Sequence, residues 1–510
     1  MKTSLIHYLD DTVARSPKRI AVWDSGKEYT FEEVASKSQE LARKLHDISF
    51  EKGRIVGVFL PKCAGVNVAN FGILMSANAF MNLDVKTPID RISGILKTVE
   101  PIAVITNEKF VKIIKSVWHG QVLCIDSIMA LGSEDVSYVQ EWNFFGYNPI
   151  DTDPFCIINT SGSTGVPKSV VTPWRCFHNF VLWSIEEAGM KRDDEVSASV
   201  APIFFDSWVQ DILLMAVNGL TQVQVPESYK MFPIKLLQFM IERKITYLLW
   251  VPTIMAMVAN SGLVEKYPIP TLRHCWYAGE VLPPHQLNKW IRANRNADFV
   301  NLYGPMEVSE VCTFYRVTGE MDENKPIPIG HPIPNYDVVL LSENGERITT
   351  IDEEGEICAR GNIAYGYYGL QDKTKSVFCQ VPWNRHYEEK LYHTGDYGKY
   401  DENGDIIFCG RRDSLIKHSG YRIELSEIEH IIVNSLKLVP SGCAIYDWKK
   451  RDIVFFYDGE KQWSEAEFRK AIASALPKYM IPSDFRHLEE LPRGGTGKID
   501  RAFLNKQVNG

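Results

Sequence analysis

Between Thr160 and Ser169 the chain reads TSGSTGVPKS, which packs two glycines, five hydroxyl side chains and a lysine into ten residues. It follows Phe155-Cys156-Ile157-Ile158-Asn159, an apolar run suited to a short buried strand. A glycine-rich turn leaving a strand presents backbone N–H groups to an anion, and the hydroxyls of Thr160, Ser161, Ser163 and Thr164 add donors. The pattern is not the G-x-x-x-x-G-K-[ST] phosphate loop, because Val166 and Pro167 separate Gly165 from Lys168. Alone, such a stretch is more often an ordinary polar loop than an anion cradle. Four more stretches follow it: NLYGPME (Asn301 to Glu307), YHTGD (Tyr392 to Asp396), GRRD (Gly410 to Asp413) and PRGGTGKID (Pro492 to Asp500). Among their residues are two carboxylates, Glu307 and Asp396, and a lysine, Lys498, that follows the glycine-rich run Gly494-Gly495-Thr496-Gly497.

The elements that must position these residues are legible in outline. Thr30-Phe31-Glu32-Glu33 opens a helix with a capping box, and Val34, Leu41 and Leu45 then recur at helical spacing. Apolar runs at 54–60, 103–106 and 121–125 read as buried strands, with a helix expected over Ala69 to Ala77. Strands alternating with helices indicate parallel sheets covered on both faces, and the alternation repeats from Val196 to Phe314. After Ile327 shorter alternating segments, Asp337 to Leu341 and Gly355 to Ala359, point to a small antiparallel, barrel-like subdomain. A compact α+β unit closes the chain past Asp413. At 510 residues the chain exceeds what one core supports. Its composition, 45% hydrophobic and 24% charged, is that of a globular protein, and the net charge of −8 argues against a nucleic-acid partner. No run of about 18 apolar residues offers a membrane span. The N-terminus has acids among its first dozen residues and does not read as a signal peptide. Ten cysteines without a C-x-x-C pair read as buried free thiols of a cytoplasmic protein, against a zinc site or a disulfide framework.

In that order the five motifs resemble the adenylate-forming superfamily: acyl-CoA synthetases, luciferases and the amino-acid adenylation domains of nonribosomal peptide synthesis. The resemblance covers essentially the whole chain. It implies an α/β fold with a large core domain at 1–411, made of α/β subdomains over about 1–326 and a β subdomain over about 327–411. A mobile α+β domain at 412–510 would follow, hinged near Asp413. ATP and Mg²⁺ are the implied cofactors. The 160–169 loop (Thr160, Ser161, Gly162, Ser163, Thr164, Gly165, Lys168) would wrap the phosphates. Tyr303 would lie on adenine, with Asn301, Gly304, Gly279, Glu280 and Val281 around the nucleotide. Asp396 and Arg411 would hold the ribose, and Glu307 would hold Mg²⁺, for which a hard carboxylate is the expected ligand type. Lys498 would bridge the substrate carboxylate and the α-phosphate. Lys417 and Gly420 would line a tunnel for the thiol of phosphopantetheine. Met306 and Ser169 depart from the family's usual threonine and glycine.

The branch point within the family is Phe205-Asp206-Ser207-Trp208. In the amino-acid-activating branch an aspartate at the position of Asp206 pairs with the substrate ammonium; as an alternative, Asp206 is a helix N-cap. The same comparison makes Ser207, Gln210, Leu249, Trp276, Ala278, Leu302, Glu310 and Val311 the pocket. Gln210, Leu249, Ala278 and Val311 resemble pockets that take proline, and a bulky Trp276 floor also fits alanine. Glu310 does not fit either, since a carboxylate in an apolar pocket needs a cation or a donor. Proline is the first expectation, alanine or another small residue the second and a basic side chain the third. The GEVLP run from Gly279 is also similar to D-alanine:carrier-protein ligases. With no HHxxxDG signature and no G-G-x-S segment after Arg501, the expected partner is a phosphopantetheinylated carrier protein in trans, with Lys449, Lys450 and Arg451 as candidate contacts. The competing readings are an acyl- or aryl-CoA ligase, a luciferase-like oxidase and a non-catalytic nucleotide-binding protein.

Overall fold

The computed structural model describes residues 2–510 apart from 133, 161–166, 412–414 and 494–498, and gives Ala502 by its backbone alone. The chain divides into two compact units. One comprises Met1–Val85, Val99–Ile158 and Ser169–Gly410; the other comprises Lys86–Thr98, Asn159–Lys168 and Arg411–Gly510.

The first unit is dominated by two large sheets. In the nine-stranded sheet six central strands run parallel: Asp298–Tyr303, His274–Ala278, Tyr247–Trp250, Val196–Ser199, Thr221–Gln224 and Ile20–Asp24, in that spatial order. Antiparallel strands, Thr313–Val317 with His331–Pro332 and Lys27–Thr30, finish its two edges. The seven-stranded sheet is parallel through Pro154–Thr160, Ala79–Leu83, Ile55–Phe59, Ala103–Thr106 and Gln121–Cys124. Runs of Val, Ile and Phe buried on every residue, such as Ile55–Phe59, are what a sheet covered on both faces requires. The expected antiparallel subdomain is a six-stranded sheet built on Tyr336–Leu341, Gly355–Gly361 and Lys390–Tyr400.

Local signals behave as the chemistry demands. Thr30 and Glu33 cap each other at the start of Phe31–Ile48, and Val34, Leu41 and Leu45 are buried along that helix. The helix expected over 69–77 instead runs Ala64–Met75 and is buried on every side. Its polar Asn67 lies inside and donates to Gln222 at 2.9 Å, so no amphipathic stripe marked its first turn.

In the second unit, Leu415–His418 and Tyr421–Glu424 form a hairpin. Its turn, Ser419-Gly420, has φ of 51° and 83°, the left-handed pair that a two-residue turn matching strand twist needs. A three-stranded sheet of Gly442–Asp447, Asp452–Tyr457 and Asp484–His487 packs Phe455 against Phe468 of the helix Glu465–Ile472. Ser464 and Glu467 form a second capping box at that helix.

Candidate active site

In an open parallel sheet, ligands bind beyond the carboxyl ends of the strands. The candidate residues of the first unit cluster at that edge of the nine-stranded sheet: Leu249 near the end of Tyr247–Trp250, Ala278 closing His274–Ala278, and Leu302 and Tyr303 closing Asp298–Tyr303.

At the nucleotide end the Tyr303 hydroxyl donates to Asp396 Oδ2 at 2.6 Å, joining two motifs that lie 93 residues apart in the chain. Burial, then the neighbouring Asp396 charge, holds the Tyr303 phenol well above its ordinary pKa, so it stays a donor. Asp396 sits on Lys390–Tyr400, where its own N–H donates to Thr394 Oγ1 (2.9 Å). Glu307 is fully buried in the short turn Met306–Val308, and its Oε1 accepts from the Tyr367 hydroxyl at 2.7 Å. Gly304 is required by close approach: a Cβ there would lie 2.4 Å from the Glu310 carbonyl oxygen and 2.7 Å from Val311 Cα. The loop therefore folds back on itself, and Cys312 N–H closes it by donating to Tyr303 O at 2.9 Å. Asn301 faces inward and donates to Pro328 O (2.7 Å). Gly279 has a φ of 98°; Glu280 beside it accepts from Thr253 N at 3.0 Å and from the Thr253 hydroxyl, while Val281 is exposed.

Leu249, Trp276, Ala278 and Leu302 share one face of the sheet. Cross-strand register pairs Leu249 with Trp276 and Ala278 with Leu302, and side chains directly opposite point the same way. Asp206 is the first residue of the helix Asp206–Asn218, whose N-cap is Phe205 rather than Asp206. Its Oδ1 accepts from Ser207 N–H at 2.8 Å. Gln210, one turn on, is buried with neither end of its amide hydrogen-bonded among the described residues. Glu310 is 4% exposed, and neither carboxylate oxygen has a hydrogen-bond partner among the described residues. Burial first, then the charges of Asp206 and Asp211, pushes its carboxyl well above the usual carboxylate range. Ser309 and Glu310 both take left-handed backbone, φ 59° and 82°, a strain that concentrates at functional loops. Val311 beside them is fully buried.

Trp276 is anchored from beneath. It is 0% exposed, its indole N–H donates to Asp298 Oδ2 (2.9 Å), and its rings meet Trp183 and Tyr247. Asp298 also holds His274 Nδ1 at 2.5 Å, with Glu195 3.8 Å from Nε2 and Arg273 and Arg316 completing the cluster. Burial lowers the His274 pKa, but bonds to Asp298 and Glu195 outweigh it and raise it to about 9 from 6.5. A folded-state pKa above the free value stabilises fully below pH 6.5, and the contribution is lost as pH rises through about 9. The melting temperature of the wild type should therefore fall by about 2–5 °C more than that of His274→Gln between those pH values. Parallel declines in thermal melts of the two proteins would remove His274 from that role.

In the second unit Thr160 closes Pro154–Thr160 and donates to Lys168 O at 3.4 Å, while the buried Lys168 ammonium meets Glu424 at 3.2 Å. Arg411 ends Ile406–Arg411, Lys417 pairs with Arg422 in the hairpin, and the turn gives Gly420 its positive φ. Ser161, Gly162, Ser163, Thr164, Gly165, Asp413 and Lys498 lie outside the described residues. The sequence did not announce Tyr367, Thr253 or Asp298, and gave no separate role to Thr394 inside YHTGD. Tyr367 holds Glu307, Thr253 holds Glu280, Thr394 holds Asp396, and Asp298 holds Trp276 and His274.

A fully buried carboxylate held by a neutral phenol, beside a glycine where the backbone cannot accept a side chain, is a donor set that suits a magnesium nucleotide. Among the described residues no helix is long and apolar enough to cross a membrane. The description "AMP-binding enzyme" matches residues 9–368. The chain is 30% identical over 503 residues to Delta-poly-L-ornithine synthetase of Acinetobacter baumannii (strain AB307-0294), covering 97% of this chain and 36% of that protein. It is 26% identical to Gramicidin S synthase 1 of Brevibacillus brevis, with 98% and 44% covered, so it spans less than half of either relative. Against Zwittermicin A synthase ZmaJ of Bacillus cereus, 27% identical, the shares are 99% and 95%. Among solved structures, the Vibrio cholerae adenylation domain AlmE in complex with glycyl-adenosine-5'-phosphate superposes with a TM-score of 0.85 at 20% identity, covering 100% and 98% of the two chains. Holo-PA1221, a nonribosomal peptide synthetase protein containing adenylation and PCP domains, gives 0.84 at 21% identity, with 99% and 84% covered. These likenesses show the fold. The chain belongs to the AMP-binding enzyme family, the adenylate-forming ligases that work on ATP with Mg²⁺.

Proposed function

We propose that this protein activates an amino acid as its aminoacyl-adenylate and then passes the aminoacyl group to the phosphopantetheine thiol of a separate carrier protein. In the first half-reaction a substrate carboxylate oxygen bonds to the α-phosphorus of ATP, and the bond to pyrophosphate breaks. In the second the thiol sulfur bonds to the activated carbonyl carbon, AMP leaves, and the thiol proton passes to solvent. The observation that carries this reading is the position of Asp206, a carboxylate at the head of a helix facing the cluster that holds Glu310. An ammonium beside a carboxyl group is what such a site recognises. Glu307 would hold Mg²⁺, which neutralises phosphate charge; Tyr367 orients Glu307. Tyr303 and Asp396 would bind adenine and ribose with Arg411, Asn301, Gly304 and Gly279 to Val281 around them. The 160–168 loop would take the phosphates, and Lys498 the developing charge at the α-phosphorus. The domain at 412–510, hinged near Asp413, would present Lys498 for the first step and Lys417 and Gly420 for the second.

For the substrate, a second cationic group fits better than proline or alanine. Gln210, Leu249, Ala278 and Val311 support proline, yet a proline pocket gives no use to the unbonded carboxylate of Glu310 or the unbonded amide of Gln210. A side-chain ammonium would take the proton's place on Glu310 and pair its charge. The relative named for poly-L-ornithine synthesis agrees with a diamino acid. ATP–pyrophosphate exchange across a full panel of L- and D-amino acids tests this. A diamino acid should lead, and Glu310→Gln should lower its specificity by about a hundredfold while leaving alanine within about threefold. A panel led by proline would end the diamino-acid reading and leave amino-acid activation standing. Exchange driven only by simple carboxylic acids would end both.

A further inference from the structure

A second metal-type donor set lies on the antiparallel sheet of the first unit, and the adenylation chemistry does not use it. Glu356 and Cys358 on Gly355–Gly361 meet His393 on the neighbouring strand Lys390–Tyr400. One carboxylate oxygen, the Cys358 sulfur and a His393 ring nitrogen all lie within 4.8 Å of one another. Cys358 and His393 are direct cross-strand partners, so their side chains share a face. Glu356 lies two residues before Cys358 on the same strand, so alternation puts its side chain on that face too, next to a shift of register against Lys390–Tyr400. Cys358 is fully buried, whereas the His393 and Glu356 side chains keep 30% and 22% of their surface, so the group opens to solvent on one side.

We propose that Glu356, Cys358 and His393 bind one borderline-soft divalent cation, of the zinc or cobalt class, with solvent as the fourth ligand. The distances carry it. Zinc sits about 2.3 Å from sulfur and about 2.0 Å from imidazole nitrogen or carboxylate oxygen, so a tetrahedral site has edges of about 3.5 Å for S···N and about 3.3 Å for N···O. Cys358 Sγ lies 3.5 Å from His393 Nδ1, already at the tetrahedral edge. Glu356 Oε2 lies 2.8 Å from the same nitrogen and must open by about 0.5 Å. The other carboxylate oxygen accepts from Gly395 N–H at 3.0 Å, the kind of supporting bond that orients a metal-bound carboxylate. Binding needs no electron transfer. The thiol proton of Cys358 and the proton shared by His393 and Glu356 leave to solvent as the three donors turn to the cation. A thiolate and an imidazole select against Mg²⁺, so this site would not compete with Glu307 for the nucleotide's ion. His393 and Asp396 are carried by the same strand, so a cation here would also stiffen the support of Asp396.

The test uses the full chain treated with a chelator and titrated with Co²⁺ alone. Metal content after gel filtration should reach about one per chain, and a thiolate-to-cobalt charge-transfer band should rise with it. Cys358→Ser should abolish the band, and His393→Ala should weaken binding by at least about tenfold. Circular dichroism checks that both variants fold. The wild-type titration decides without any variant: retained metal well below one per chain, with no charge-transfer band, would show a hydrogen-bonded trio and nothing more. A band that survives in Cys358→Ser would place the cation elsewhere and overturn the assignment.

Discussion

Asp206→Ala lowers amino-acid-dependent pyrophosphate exchange by about two to four decades for every amino acid the protein accepts. The reasoning is electrostatic. A substrate ammonium desolvated against a carboxylate loses its partner, and breaking one half of such a pair costs about 3–5 kcal/mol, at about 1.4 kcal/mol per decade. Asp206 stands at the first position of its helix, where it accepts from Ser207 N–H and is not the N-cap. Its removal therefore leaves the cap in place, and melting temperature should move little. A des-amino acid of matching shape should be activated almost as well by Asp206→Ala as by wild type. Equal losses for both substrates would make Asp206 a structural residue and return the protein to the acyl ligases.

Glu307→Gln lowers exchange by about two to three decades and raises the Mg²⁺ concentration needed for half-maximal rate. The scale is that of removing one charge-stabilising group from a water-excluded site. The amide keeps the shape and can still accept from the Tyr367 hydroxyl, so the turn Met306–Val308 and its bond to the strand Gly366–Tyr367 persist. Tyr367→Phe separates orientation from charge. It leaves the carboxylate and removes its holder, and should cost about tenfold in apparent Mg²⁺ affinity. Exchange by Glu307→Gln within about threefold of wild type at ordinary Mg²⁺ would leave Glu307 as no more than a buried acceptor for Tyr367.

What the sequence revealed and what it hid follow from the range of the interactions. The Thr30–Glu33 capping box was legible because both partners sit three residues apart and the bond is local. The strand Ala103–Thr106 was legible because three consecutive apolar side chains and a β-branched threonine are followed at once by a polar run from Asn107. The start of Ala64–Met75 was not, since burial on every side erases the periodicity that marks a helix. The motifs identified Tyr303, Glu307 and Asp396 as site residues through resemblance, but not the bonds between them. Tyr303 meets Asp396 and Glu307 meets Tyr367 across 93 and 60 residues, and such pairings are decided by sheet topology. The trio on the antiparallel sheet was hidden for the same reason. Cysteine spacing argued against a zinc site, and the third donor, His393, comes from a different strand.

The fold-back at Gly304 constrains how this enzyme can change its diet. The carbonyl of Glu310 rests where a side chain on residue 304 would go, so Glu307 and Glu310, the carboxylates proposed for the metal and for the substrate, hang from one short closed loop. A mutation at Glu310 that asks its backbone to leave the left-handed region pulls on the chain that seats Glu307. With the roles proposed above, drift in substrate preference through that position would disturb nucleotide binding. Ala278 and Leu302, fixed by strand pairing instead of by the loop, would in the proposed pocket be the positions from which new specificity arises without disturbing the energy source.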